Sequence, residues 1–218
     1  MIRLFVLAVT FALPLLAAAE PYMVLGRAID LSPPPGYCVV GKTPAERQYL
    51  ERYKDISKSA LELLQASVPC SDLKKFNAKL LSQFPRTALV SVVKAKGQLT
   101  LETGTRQQFL SRFGKPESFD VEAVNTRLRK ALTDKTFAAA MSKMTPLGSD
   151  GDAYYWAMLG TAQAEGMPLY RVTSVSAALL INRLPLSVQA SESVGFTDGP
   201  APASIVQNQI KSILVRNP

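Results

Sequence analysis

The chain has 218 residues, 47% of them hydrophobic and 19% charged, and a formal net charge of +8. That composition excludes a disordered chain and suits one domain, or at most two small ones. There is no histidine, which removes the commonest general base, the Ser–His and Cys–His pairs, and nearly every catalytic zinc site.

The first residues read as three zones: Arg3, an apolar run from Leu4 to Leu16, then Ala17, Ala18 and Ala19 before Glu20. A basic start, an apolar core and small residues at −3 and −1 predict a secretory signal cleaved after Ala19. The run is too short to cross a bilayer core of ~30 Å, and Pro14 weakens it further as an anchor. No cysteine follows it, so a lipid anchor is not expected. No later stretch is long enough to span a membrane; the best, Val175 to Ile181, is strand-sized. The expectation is a periplasmic or secreted protein in which residues 1–19 are the signal and 20–218 a single α+β envelope domain.

Cys38 and Cys70 are the only cysteines, and an even count in an exported chain reads as one disulfide. Ser32-Pro33-Pro34-Pro35 precedes a strand-like Tyr37 to Val40. Thr43-Pro44-Ala45-Glu46 is a capping box with proline at the first helical position. Tyr49, Leu50, Tyr53 and Ile56 follow at helical spacing. Propensity alone would run this helix to Ser67, about 36 Å at about 1.5 Å per residue. Bridged Cα atoms must lie within about 7 Å, so the helix is broken near Ser57-Lys58-Ser59 and Leu61 to Val68 is read as a returning strand. A long helix with two free thiols is the alternative.

Ser71 is read as the cap of a short helix carrying Leu73, Phe76 and Leu80. Ala88 to Val93 is a strand, and Lys96-Gly97 turns it into Leu99 to Glu102. Thr105 with Gln108 caps another short helix ending at Phe113, before Gly114-Lys115-Pro116. Ser118 or Asp120 starts the longest helix, with Val121, Val124, Leu128 and Leu132 on its buried face and Met141 a further candidate. Pro146 to Gly151 is expected as a loop. Tyr154 to Ala162, Val172 to Ile181 and Pro185 to Ser191 read as strands, the last two joined by a turn at Asn182-Arg183 that lacks the usual glycine. A final helix carries Ile205, Val206, Ile210, Ile213 and Leu214. The sum is α+β, a mostly antiparallel sheet with packed helices and one disulfide.

Two formal motif matches fail on context. Gly36 to Thr43 fits G-x-x-x-x-G-K-[ST]. Its inner residues read as a strand rather than a loop, Cys38 is expected to be bridged, and no later strand ends in the aspartate of a magnesium site. Ser71-Asp72-Leu73-Lys74 fits S-x-x-K, without the S-D-N and K-T-G elements that chemistry needs. Carboxylate pairs remain open for glycosidic cleavage, with Asp150, Asp152, Glu165 and Asp198 as candidates. Asp150-Gly151-Asp152 lacks the further ligands of a calcium loop, so no metal or cofactor is expected. In Tyr154-Tyr155-Trp156, strand alternation puts Tyr155 on the outer face as an aromatic surface for sugar or peptide, beside Asp150 and Asp152. The basic excess favours an anionic envelope surface. No run exceeds two adjacent basic residues, however (Lys74-Lys75, Arg129-Lys130), so nucleic acid is not expected.

Pro35-Gly36-Tyr37-Cys38, the second cysteine at Cys70, the hairpin through Asn182-Arg183-Leu184-Pro185-Leu186-Ser187-Val188 and the closing helix resemble a group of exported proteobacterial proteins. Their order of elements is similar to the PsbP/Mog1-like α/β/α sandwich. The resemblance brings no catalytic residues and implies a non-enzymatic binding or assembly-accessory domain, partnering an envelope protein or an anionic envelope surface. A histidine-free, carboxylate-dependent hydrolase of cell-wall or glycan substrate is the alternative. Two acids converging in a cleft would distinguish it.

Overall fold

The computed structural model describes residues 20–114, 119–133, 144–162, 170–193 and 199–218. The expected signal segment 1–19, Lys115-Pro116, Ser118, Met141, Glu165 and Asp198 lie outside the described residues. No described helix is long and apolar enough to cross a membrane.

An eight-stranded sheet organises the chain, and every described pairing is antiparallel. A small hairpin of β1 (Tyr22–Val24) and β2 (Arg27–Ile29) stands apart from it. One meander runs β3 (Tyr37–Val39), β4 (Leu61–Pro69), β5 (Arg86–Ala95), with β6 (Gln98–Leu99) folding back on β5. The other runs β7 (Thr145–Ser149), β8 (Tyr154–Ala162), β9 (Tyr170–Ile181), β10 (Leu184–Ser193). They join along β5 and β10, giving the order β3-β4-β5-β10-β9-β8-β7.

The strand–helix–strand reading of the cysteines is borne out. Helix α1 (Pro44–Ser57) stops at the expected break, where Ser57 Oγ donates to the Tyr53 carbonyl at 3.1 Å. β4 then returns beside β3, and Cys38 and Cys70 are bridged with Cα atoms 4.9 Å apart. Helix α2 (Cys70–Asn77) departs from expectation at its start. Pro69 is its N-cap and makes no side-chain bond, so Ser71 lies inside the first turn rather than capping it. The helix also ends before Leu80, which is exposed.

Asn182-Arg183 is a two-residue hairpin turn with both residues at positive φ (49° and 68°), the backbone that primed turns require. Tertiary bonds hold it without glycine: Arg183 Nε donates to the Glu102 carbonyl, and Glu102 N–H donates to that of Arg183, each at 2.8 Å. Pro146 to Gly151, expected as a loop, supplies instead much of the edge strand β7. An edge tolerates Pro146, which has no N–H to donate, and a bulge between Pro146 and Gly148 absorbs the irregularity.

The sheet has two unlike faces. On the inner face, α4 (Val121–Thr133) and α5 (Pro202–Arg216) pack on alternate residues of the central strands. Val124 and Leu128 of α4 are buried there with Ile205, Val206, Ile210 and Ile213 of α5. Facing them are Val90 and Val92 of β5, Leu186 and Val188 of β10, and Val175 and Leu179 of β9. On the outer face, α1 and α2 cover the β3–β4–β5 end, and α3 (Arg106–Leu110) with a following 3-10 turn (Ser111–Phe113) covers β8 and β9. Thr105 and Gln108 form the expected reciprocal capping box at α3.

Candidate functional site

The segment that fits the phosphate-loop pattern is closed by the chain's own carboxylate. Gly41 N–H and Lys42 N–H each donate to Glu46 Oε2 at 2.8 Å, and Asn77 Nδ2 donates to Oε1 at 2.8 Å. These backbone donors are the ones a phosphate would need. Thr43 Oγ1 accepts from Glu46 N–H, so the cap forms, while the reciprocal glutamate bond reaches past Thr43 to the residues before it. Burial pushes the Glu46 carboxyl up, but hydrogen bonds with Asn77, Gly41, Lys42 and Thr43 outweigh it and hold the group below its ordinary value.

Asp150, Asp152 and Tyr155 do not form the surface site expected of them. Tyr155 is fully buried, because β8 alternates in the opposite phase: Tyr155 faces the inner core, and Tyr154 and Trp156 face outward under α3. Its ring stacks on Phe119 at 3.8 Å between centroids, and its hydroxyl donates to Asp150 Oδ2 at 2.6 Å. Burial first, then Asp150, raises the Tyr155 hydroxyl well above its ordinary value. Asp150 Oδ1 accepts from the N–H groups of Asp152 and Ala153, and Asp152 pairs with Arg106 at 2.9 Å. The two aspartates organise a turn. Among the described residues no cluster of three or more acidic or cysteine side chains is placed to hold a metal.

Between the two outer layers the centre of the sheet is left as a groove of about 390 Å3. One wall is Leu61 and Val93; the other is Phe109, Phe113, Trp156 and Met158. Phe113 stacks over Tyr154 and Trp156, with interplanar angles of 21° and 19°, and Phe109 meets it edge-on at 74°. The floor is polar and small: Ser176 of β9 with Ser187 and Gln189 of β10. Gln189 stands directly opposite Ser176 in the ladder. None of these three side chains makes a hydrogen bond with a described residue. The one carboxylate among the described lining residues, Glu102, is held by Arg112 at 2.8 Å.

A second hollow, of about 470 Å3, lies beside α3. Three of its polar side chains are engaged, Arg106 with Asp152, Ser149 Oγ with the Ala153 carbonyl and Ser111 Oγ with the Gln108 carbonyl, and Gln107 and Tyr154 line it as well. The central groove is the better candidate, since it combines apolar walls with three polar side chains converging on its floor, the arrangement a ligand site needs. Its walls come from segments far apart in the chain, which is why no sequence motif points to it. The visible signal is the alternation in β10, where Pro185, Ser187, Gln189 and Ser191 interleave with Leu184, Leu186, Val188 and Ala190. No protein-family model matches the chain, and no curated protein and no solved structure matches it.

Proposed function

We propose that this protein is a non-catalytic binding protein of the bacterial cell envelope, exported by the segment 1–19 and using the central groove as its ligand site. The observation that carries this reading is the groove floor. Ser176, Ser187 and Gln189 are unpaired among the described residues beneath apolar walls, while the carboxylate of Glu102 is neutralised by Arg112. Hydrolysis by paired carboxylates needs two acids across a cleft, and Asp150 and Asp152 are engaged in their own turn. The disulfide supports an oxidising compartment.

The test has two parts. Intact mass of the protein from an osmotic-shock fraction should match Glu20 to Pro218, with no thiol open to alkylation before reduction. The same preparation, incubated with purified cell-wall sacculi, should release no soluble fragments. Uncleaved protein in the cytosol, or fragment release abolished by Asp150→Asn or Asp152→Asn, would overturn the reading.

A further inference from the structure

The groove's chemistry narrows what it takes, an inference that rests on the binding reading above. We propose that its ligand is a neutral aromatic compound bearing a hydroxyl, carbonyl or amide group. The ring lies against Phe113 and Trp156, and the polar edge meets Ser176, Ser187 and Gln189.

Three observations set this class. The first is charge. Among the described residues Glu102 is the only ionisable side chain lining the groove, and Arg112 already neutralises it. Neither an anion nor a cation finds an uncompensated opposite charge among the described lining residues. The second is shape. Phe113 is 40% exposed and nearly parallel to Trp156, and Met158 is also 40% exposed. A wall of partly exposed rings and a soft thioether suits an aromatic ligand, which gains from offset or edge-to-face ring contact and from sulfur contact. The third is the floor. Gln189 and Ser176 are directly opposed across the β9–β10 ladder, with Cβ atoms about 5 Å apart in such pairs. An amide and a hydroxyl at that separation can bond one substituent of a ring, and neither has a described partner to give up.

Trp156 is the chain's single tryptophan and lies in the groove wall, so its emission reports occupancy. Purified protein with its disulfide formed is titrated with 2-naphthol and with its anionic counterpart, naphthalene-2-sulfonate. The neutral probe should quench Trp156 saturably at one equivalent, and the anionic one should bind at least about tenfold more weakly. Phe113→Ala and Gln189→Ala should each weaken the neutral probe about tenfold, with unchanged circular dichroism. Met23→Ser, at an exposed residue of the β1–β2 hairpin, should leave binding as it was. Equal binding of both probes, or binding indifferent to Phe113→Ala and Gln189→Ala, overturns the proposal. Quenching by N,N′-diacetylchitobiose without response to the naphthol also overturns the aromatic class while leaving the groove a binding site. Release of fragments from sacculi overturns the parent reading instead.

Discussion

The carboxylate of Glu46 accepts the Lys42 backbone N–H at 2.8 Å, across a separation of four residues. The chain thus supplies its own anion to a loop whose sequence matches a phosphate cradle. The same glutamate reaches Asn77 at the end of α2, so one side chain ties the β3–α1 turn to the helix that follows the second cysteine.

Glu46→Gln should therefore cost about 2 kcal/mol at neutral pH, because the bonds from Gly41 and Lys42 N–H lose their charge assistance and the new amide NH2 meets the Asn77 Nδ2 donor in place of an acceptor. The cost depends on pH in a defined direction. The folded carboxyl titrates below its ordinary value, so its stabilisation is complete above the unfolded pKa and disappears as pH falls through the folded one. Urea unfolding of the two proteins from pH 7 to pH 3 should show the gap closing on acidification. A gap that is constant or widens there would contradict this account.

The Cys38–Cys70 bridge spans 32 positions. Closing a loop of that size should stabilise by about 3 to 4 kcal/mol in the chain-entropy description. Reduction should lower Tm by about 10 °C for a protein of this size. Thermal unfolding with and without reductant measures it, and a shift under about 2 °C would mean that the reduced chain keeps the β3–β4 pairing by other contacts.

Tyr155→Phe isolates the bond to Asp150. The ring and its stack on Phe119 remain, and the 2.6 Å hydroxyl–carboxylate bond is lost. The expected cost is about 1.5 to 3 kcal/mol, the range for hydrogen bonds to charged groups. Combined with Asp150→Asn, the two changes should cost less than their sum, since both act on the same contact. A double-mutant cycle by urea unfolding gives the coupling, and additivity within error would show that the contact contributes nothing.

Local signals carried most of the fold. The caps at Thr43 and Thr105 and the turns at Lys96-Gly97 and Asn182-Arg183 are short-range chemistry that sequence displays directly. The length constraint from two cysteines ended α1 where propensity would have continued it. Phase was harder. In Tyr154-Tyr155-Trp156 both faces of β8 are aromatic, since one packs on the inner core and the other under α3, so alternation could not say which ring was inside. Ser71 misled because cap chemistry resembles first-turn chemistry one residue away. The groove was illegible because Leu61, Val93, Phe113 and Trp156 meet only after the two meanders join along β5 and β10.

Glu192 offers the opposite pH dependence to Glu46. It sits on β10 opposite Arg86 of β5 and Thr173 of β9, is almost fully buried, and its Oε1 has no hydrogen-bond partner among the described residues. Burial raises its carboxyl above the ordinary value, with Arg129 of α4 and Arg86 pulling the other way and falling short. Arg86 is shared with Asp72 at 2.9 Å, and Tyr37 stands in the same surroundings, its hydroxyl pushed up to about 12 by burial against the pull of Arg86. A carboxyl raised on folding is most favourable below its unfolded pKa and loses stability as pH climbs through the folded one. Glu192→Gln mimics the protonated form at every pH. Its stability relative to the parent should therefore rise from pH 4 to pH 7, by about 1 kcal/mol if one unsatisfied acceptor sets the scale. Urea midpoints across that interval decide it, and a relative stability that falls with pH would show that Arg86 and Arg129 hold the charged form after all.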